Sequence, residues 1–219
     1  MIISYINGEW KEPGSLCQAI GIFKENFHKT VSVVGGGGKT TVIRRLMDEC
    51  RNAEIPCAVS TTTHIQKCDA GYFLGKPSVE MFRQIMIKYG VVWMGRETTD
   101  GKLASFQEEY LKEISREPGV LLLEADGAKR LPVKTPAEHE PVICEQTDIV
   151  LNVYGMSAVG KKLKEGCFRV KETGKDSRKD RRRYSCPEDI VTLAVSQSAG
   201  RKYVTDDMEY QGDTESGRY

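Results

Sequence analysis

Apolar residues fall into two patterns along this chain. Short, nearly uniform runs come at Thr30 to Val34, Ile55 to Ser60, Val91 to Met94, Val120 to Leu123 and Ile149 to Val153. Such runs, rich in β-branched residues, predict strands, and the lack of polar alternation in Val120 to Leu123 predicts one covered on both faces. Between them the apolar spacing changes to three and four. Val42, Ile43, Leu46 and Met47 predict one helix face, and Val79, Phe82, Ile85, Met86 and Tyr89 predict a second helix over Ser78 to Tyr89. Leu103 to Ile114 reads as a further helix after the turn Thr99-Asp100-Gly101, Pro187 to Ala199 as another, and Leu16 to Phe23 as a short leading one. Strands alternating with helices predict an α/β fold, a doubly wound, mainly parallel sheet with flanking helices. In such sheets ligands gather at the carboxyl ends of the strands.

Those ends carry the chemistry. The first strand runs into Gly35, Gly36, Gly37 and Gly38, then Lys39, Thr40 and Thr41 open a helix. Glycines there let the backbone take unusual dihedrals and let another group come close. The full phosphate-loop spelling G-x-x-x-x-G-K-[ST] would need a glycine where Val33 stands, so what remains is the shorter G-x-x-G-K-T of Gly35, Gly38, Lys39 and Thr40. This form resembles the tighter loop of the Mur-type ligases. The amides of Gly36 to Thr40 are expected to form an anion nest at the positive end of the helix dipole. Lys39, facing solvent, would contact terminal phosphate oxygens, and the Thr40 hydroxyl would ligate Mg2+.

The apolar run at Val120 closes on Glu124 and Asp126, either of which suits a magnesium carboxylate facing the phosphate loop. Thr61, Thr62 and Thr63 end the second strand; Thr62 is a candidate sensor of the last phosphate, and strand-end threonines equally serve to satisfy backbone groups. His64 beside them reads as a solvated loop histidine. Leu131 to Ile143 holds three prolines, which predicts a stiff loop presenting Lys134, Glu138, His139 and Glu140. His139-Glu140 lacks a second histidine at zinc spacing. The basic cluster Arg181 to Arg183 reads as a solvated face.

Length and composition narrow the classes. A chain of 219 residues suits one α/β domain and a small appendage, divided here as residues 1–163 and a basic loop with a short helical segment over 164–219, its end from Asp206 polar and frayed. A formal net charge of +1 gives no global field for nucleic acid or an anionic membrane. The seven cysteines show no C-x-x-C pair or metal spacing, which predicts free thiols, and no apolar run approaches a membrane span. A cytoplasmic protein is expected.

VVGGGGKTT, STTTHI, LLLEADGAKRLPVKTPAEHEPVI and TDIVLNVYGMSAVGKKL together resemble the YqeC family, in order from about Leu16 to Leu163. The resemblance implies a P-loop-like nucleotide-binding protein that helps mature or insert the cofactor of a selenium-dependent molybdenum hydroxylase, and an NTP hydrolase coupled to that task is the leading expectation. That hydroxylase or its cofactor would be the partner. Chains of that family continue further, whereas this one ends in DDMEYQGDTESGRY, so a short or truncated C-terminal part is expected. No N-K-x-D base-reading motif is visible, which leaves ATP and GTP both open. Two other functions stay open as well: an ATP-dependent kinase or ligase acting on a small acceptor, and a non-catalytic nucleotide-binding scaffold.

Overall fold

The computed structural model describes residues 2–6, 8–23, 28–169 and 184–215. Its centre is a seven-stranded sheet. In chain order the elements that build it are β1 (His28–Gly35), α1 (Lys39–Asn52), β2 (Cys57–Thr61), β3 (Phe73–Leu74), α2 (Val79–Tyr89), β4 (Val91–Met94), α3 (Glu108–Ile114), β5 (Gly119–Glu124), β6 (Ile149–Gly155), α4 (Pro187–Val195) and β7 (Glu209–Glu215). The strands lie in the order β7-β6-β1-β5-β2-β4-β3, every neighbouring pair parallel.

The uniform apolar runs have a simple cause: successive side chains point to opposite faces, and both faces are covered. Val31, Val33, Val59, Trp93, Leu122 and Leu151 pack with Val42, Ile43, Leu46 and Met47 of α1. The alternate positions Ala58, Val92, Met94, Leu121 and Leu123 pack on the other side with Phe82 of α2 and Tyr110, Leu111 and Ile114 of α3. The fold is therefore doubly wound, as the alternation predicts.

Several elements differ from expectation. Of Leu103 to Ile114 only Glu108–Ile114 is helical, because Lys102–Ala104 pairs antiparallel with His64–Gln66, and the apolar spacing of Leu103 and Phe106 serves a strand and a loop. The same pairing puts the exposed His64 on a strand rather than a loop. The leading helix is confined to Leu16–Ala19, capped by Ser15, and α4 stops at Val195. The stretch expected to fray supplies β7, held at the sheet edge by backbone pairing with β6, from Ile149 opposite Glu209 to Gly155 opposite Glu215. An edge strand bonds through its backbone and leaves little side-chain pattern to read. Arg181 to Arg183 lie outside the described residues.

The topology fixes where a site can form. From β1 the chain goes through α1 to β2, two places away on one side; from β5, the immediate neighbour of β1, it goes to β6 on the other side. The carboxyl ends of β1 and β5 therefore part at a switch point, where open α/β sheets hold ligands. Gly35 to Gly38 leave one of these ends, and Glu124 to Asp126 the other.

Candidate functional site

The turn from β1 into α1 is made by glycines with left-handed backbone at Gly35, Gly37 and Gly38. A Cβ on Gly37 would sit 2.6 Å from the Gly155 nitrogen and 2.7 Å from the Pro132 carbonyl oxygen, so the loop is pressed directly onto two other backbones. Hydrogen bonds seal this contact: the Gly36 amide donates to Val153 O at 2.9 Å, and Gly37 to Leu131 O at 3.0 Å. The Gly35 amide donates to Asp126 Oδ2 at 3.1 Å. Two of the amides expected in the anion nest are thus spent on carbonyls. Those of Gly38, Lys39, Thr40 and Thr41, at the start of α1, donate to no such partner among the described residues.

Lys39, expected to face solvent, is 5% exposed. Its Nζ donates to Gly35 O at 2.7 Å and lies 3.0 Å from Asp126 Oδ1. The Thr40 hydroxyl donates to Glu124 Oε2 at 2.9 Å, and Thr41 is exposed. The first two residues of α1 thus engage the two acidic residues of the neighbouring strand end, one each. Burial pushes the Glu124 carboxyl up, opposed by Lys39 and the Thr40 hydrogen bond and reinforced by Asp126.

The hydroxyls of Thr61, which ends β2, and of Thr62 after it are occupied with backbone. Thr61 Oγ1 donates to Glu124 O at 2.7 Å, and the Thr62 amide donates to the same oxygen at 3.1 Å. Thr62 Oγ1 donates to Val142 O at 2.6 Å, and Thr63 N to Thr61 Oγ1 at 2.9 Å. They join β2, β5 and the segment after it into one frame.

The sequence reading missed how Leu131 to Ile143 is used. Val133–Lys134 pairs with Cys167–Phe168, which turns Lys134 and Glu140 inward and leaves Glu138 and His139 exposed. Lys134, its side chain 1% exposed, lies 3.1 Å from Asp126 Oδ2 and 2.8 Å from Glu140 Oε2. Arg169 closes the series on Glu140. Burial works to raise the Glu140 carboxyl, but Lys134 and Arg169 overcome it and hold the group at about 2. Lys39, Asp126, Lys134, Glu140 and Arg169 so form one continuous charge series beneath the glycine loop. The cavity among Gly35, Asp126, Lys134 and Asn152 measures about 10 Å³, no more than one water. That space is too small for a phosphate group.

Among the described residues no cluster of three or more His, Cys, Asp or Glu side chains is placed to hold a metal by itself. The seven cysteines are free, although Cys17 Sγ and Cys50 Sγ lie 3.6 Å apart in the core. No described helix is long and apolar enough to cross a membrane.

A relative in Escherichia coli (strain K12), named Uncharacterized protein YqeC, is 28% identical over 138 residues, 61% of this chain and 54% of that protein. The chain thus spans about half the length of that relative. No solved structure matches. The family model described as YqeC protein matches residues 31–171, which take in the glycine loop, the threonines, both acidic residues and the whole buried charge series, and the chain belongs to that family.

Proposed function

We propose that the chain binds a nucleoside triphosphate, ATP or GTP, with Mg2+ on the outer side of the glycine loop, and that it works as an NTP hydrolase. The observation that carries this reading is the pairing of Lys39 with Asp126 and of Thr40 with Glu124 at the switch point of the sheet. Four amides at the start of α1, a hydroxyl and two carboxylates converge there, a set suited to an anion and a hard cation. Since among the described residues no protein cluster holds a metal alone, Thr40, Glu124 and Asp126 would hold Mg2+ together with phosphate oxygens and water. When bound, Mg2+ neutralises charge developing on the transferred phosphoryl group. Lys39 exchanges Asp126 for phosphate, and Asp126 keeps Lys134 and the Gly35 amide as partners. Thr62, tied to Val142, is placed to pass a change at the phosphate to the Leu131 to Ile143 segment.

The task that this binding serves is the maturation or insertion of a selenium-dependent molybdenum hydroxylase cofactor, and this part rests on the family resemblance. One observation favours phosphoryl transfer to a small acceptor as a second reading. A cleft of about 520 Å³ lined by His139, Val142, Ile143, Tyr203 and Met208 shares Pro141 with the wall beneath Asp126, and it has the size of a small-molecule site. Titration of the full chain with ATP and GTP, with and without Mg2+, tests the binding claim. A phosphorylated product that forms only with an added acceptor would favour the second reading. Absence of binding under every condition would leave a non-catalytic scaffold.

A further inference from the structure

The phosphate site proposed above is short of positive charge. Lys39 is neutralised by Asp126, Lys134 is shared between Asp126 and Glu140, Arg169 is on Glu140, and the Gly36 and Gly37 amides are spent. A triphosphate carries several negative charges that these groups leave unanswered.

Two cations lie immediately beside this loop in an unusual backbone. Ala128 to Leu131 form a turn closed by Leu131 N donating to Ala128 O at 2.9 Å, and its central residues, Lys129 and Arg130, have φ of 48° and 63°. Positive φ at both central positions is the pattern of a type I′ turn, which asparagine and glycine fill readily and long side chains fill under strain. Residues in such conformations are enriched at ligand clamps and switch regions, although Glu54, Arg169 and Tyr203 share the conformation here. The next residue, Leu131, accepts the Gly37 amide, so the turn is fastened to the glycine loop. Both cations are exposed. Lys129 Nζ stands 5.1 Å over the Phe168 ring, and among the described residues no carboxylate pairs with Arg130.

We infer that the Lys129-Arg130 turn is a phosphate clamp, its cations contacting the triphosphate held at the glycine loop beside Lys39, the one inner cation that its release from Asp126 makes available. The inference rests on the proposed nucleotide site and adds to it two contacting residues outside the glycine motif.

The test exploits the strain. Lys129→Asn with Arg130→Gly installs the pair that a type I′ turn favours, so the double variant keeps or raises Tm while both charges go. Wild-type and variant chains are titrated with Mg·ATP and Mg·GTP at low and high salt, and Tm is measured for each. The expected result is affinity about tenfold or more weaker in a variant of undiminished Tm, with the gap narrowing as salt rises. Equal affinities in the two chains overturn the clamp and leave the glycine-loop reading standing. A variant that loses Tm together with binding marks the turn as structural and overturns the clamp too. No binding by the wild type removes the glycine-loop reading, and the clamp with it.

Discussion

Lys39 and Arg130 belong to the same corner of the molecule and differ in almost every physical respect. Lys39 stands where the motif places a phosphate ligand, yet it is buried against Asp126 and the Gly35 carbonyl. Arg130 belongs to no motif, sits in a strained left-handed backbone and is exposed. A motif fixes where a residue stands on the chain, whereas the availability of its charge depends on which neighbours the fold delivers. Here the fold delivers an inner layer of paired charges that holds the loop in shape and an outer layer that is open to a ligand.

The contrast is broken most sharply by removing one cation from each layer. Lys134→Ala leaves Asp126 and Glu140 buried with a partner missing and should cost about 3 kcal/mol of unfolding free energy or more. Arg130→Ala, at an exposed position, should change stability by no more than about 0.5 kcal/mol. Denaturant melts of the two variants check this, and equal costs would erase the distinction between the layers.

Acid sharpens the same boundary. Glu140 is held at about 2, below the ordinary carboxylate value of 4.5, so the folded state binds its proton later than the unfolded state. Its contribution is complete above about pH 4.5 and is lost as pH falls toward 2, an effect on the order of 2 to 3 kcal/mol. Stability against pH for the wild type should therefore fall more steeply in that window than for Glu140→Gln, which has no such proton to take up. Parallel curves would mean that the series does not stabilise the fold through Glu140.

Much of this architecture is legible in the sequence because it follows from burial. The runs at Val31, Val91, Val120 and Ile149 are uniform since both sheet faces are covered, and the glycines mark a loop that another backbone touches. The inner charge layer is not legible in the same way. Lys134 and Glu140 look like solvent-facing charges in a proline-rich loop, and only the pairing of Val133–Lys134 with Cys167–Phe168 turns them toward Asp126. β7 was hidden for a related reason, since its place is set by hydrogen bonds to β6 rather than by an apolar pattern. Long-range pairing of this kind leaves no local trace.

A smaller effect separates the two acidic residues. Asp126→Asn and Glu124→Gln should each weaken the Mg2+ dependence of nucleotide binding, by about tenfold for whichever carboxylate holds the metal, with less effect on binding without metal. Because burial raises the Glu124 carboxyl, protons compete with Mg2+ for it on the acid side, so metal-dependent affinity should climb as pH rises through that raised value. In Glu124→Gln the climb should vanish. A climb that persists in this variant would assign it to another group.

The central claim is that the glycine loop receives a Mg2+-bound triphosphate when Lys39 leaves Asp126. Calorimetric titration of wild type and Lys39→Ala with ATP and GTP, each with and without Mg2+, measures this directly. Mg2+-dependent binding is expected for the wild type and its loss in Lys39→Ala, with the variant still folded because Lys134 and the Gly35 amide continue to hold Asp126. Binding of equal strength in both proteins, or in neither, would contradict it.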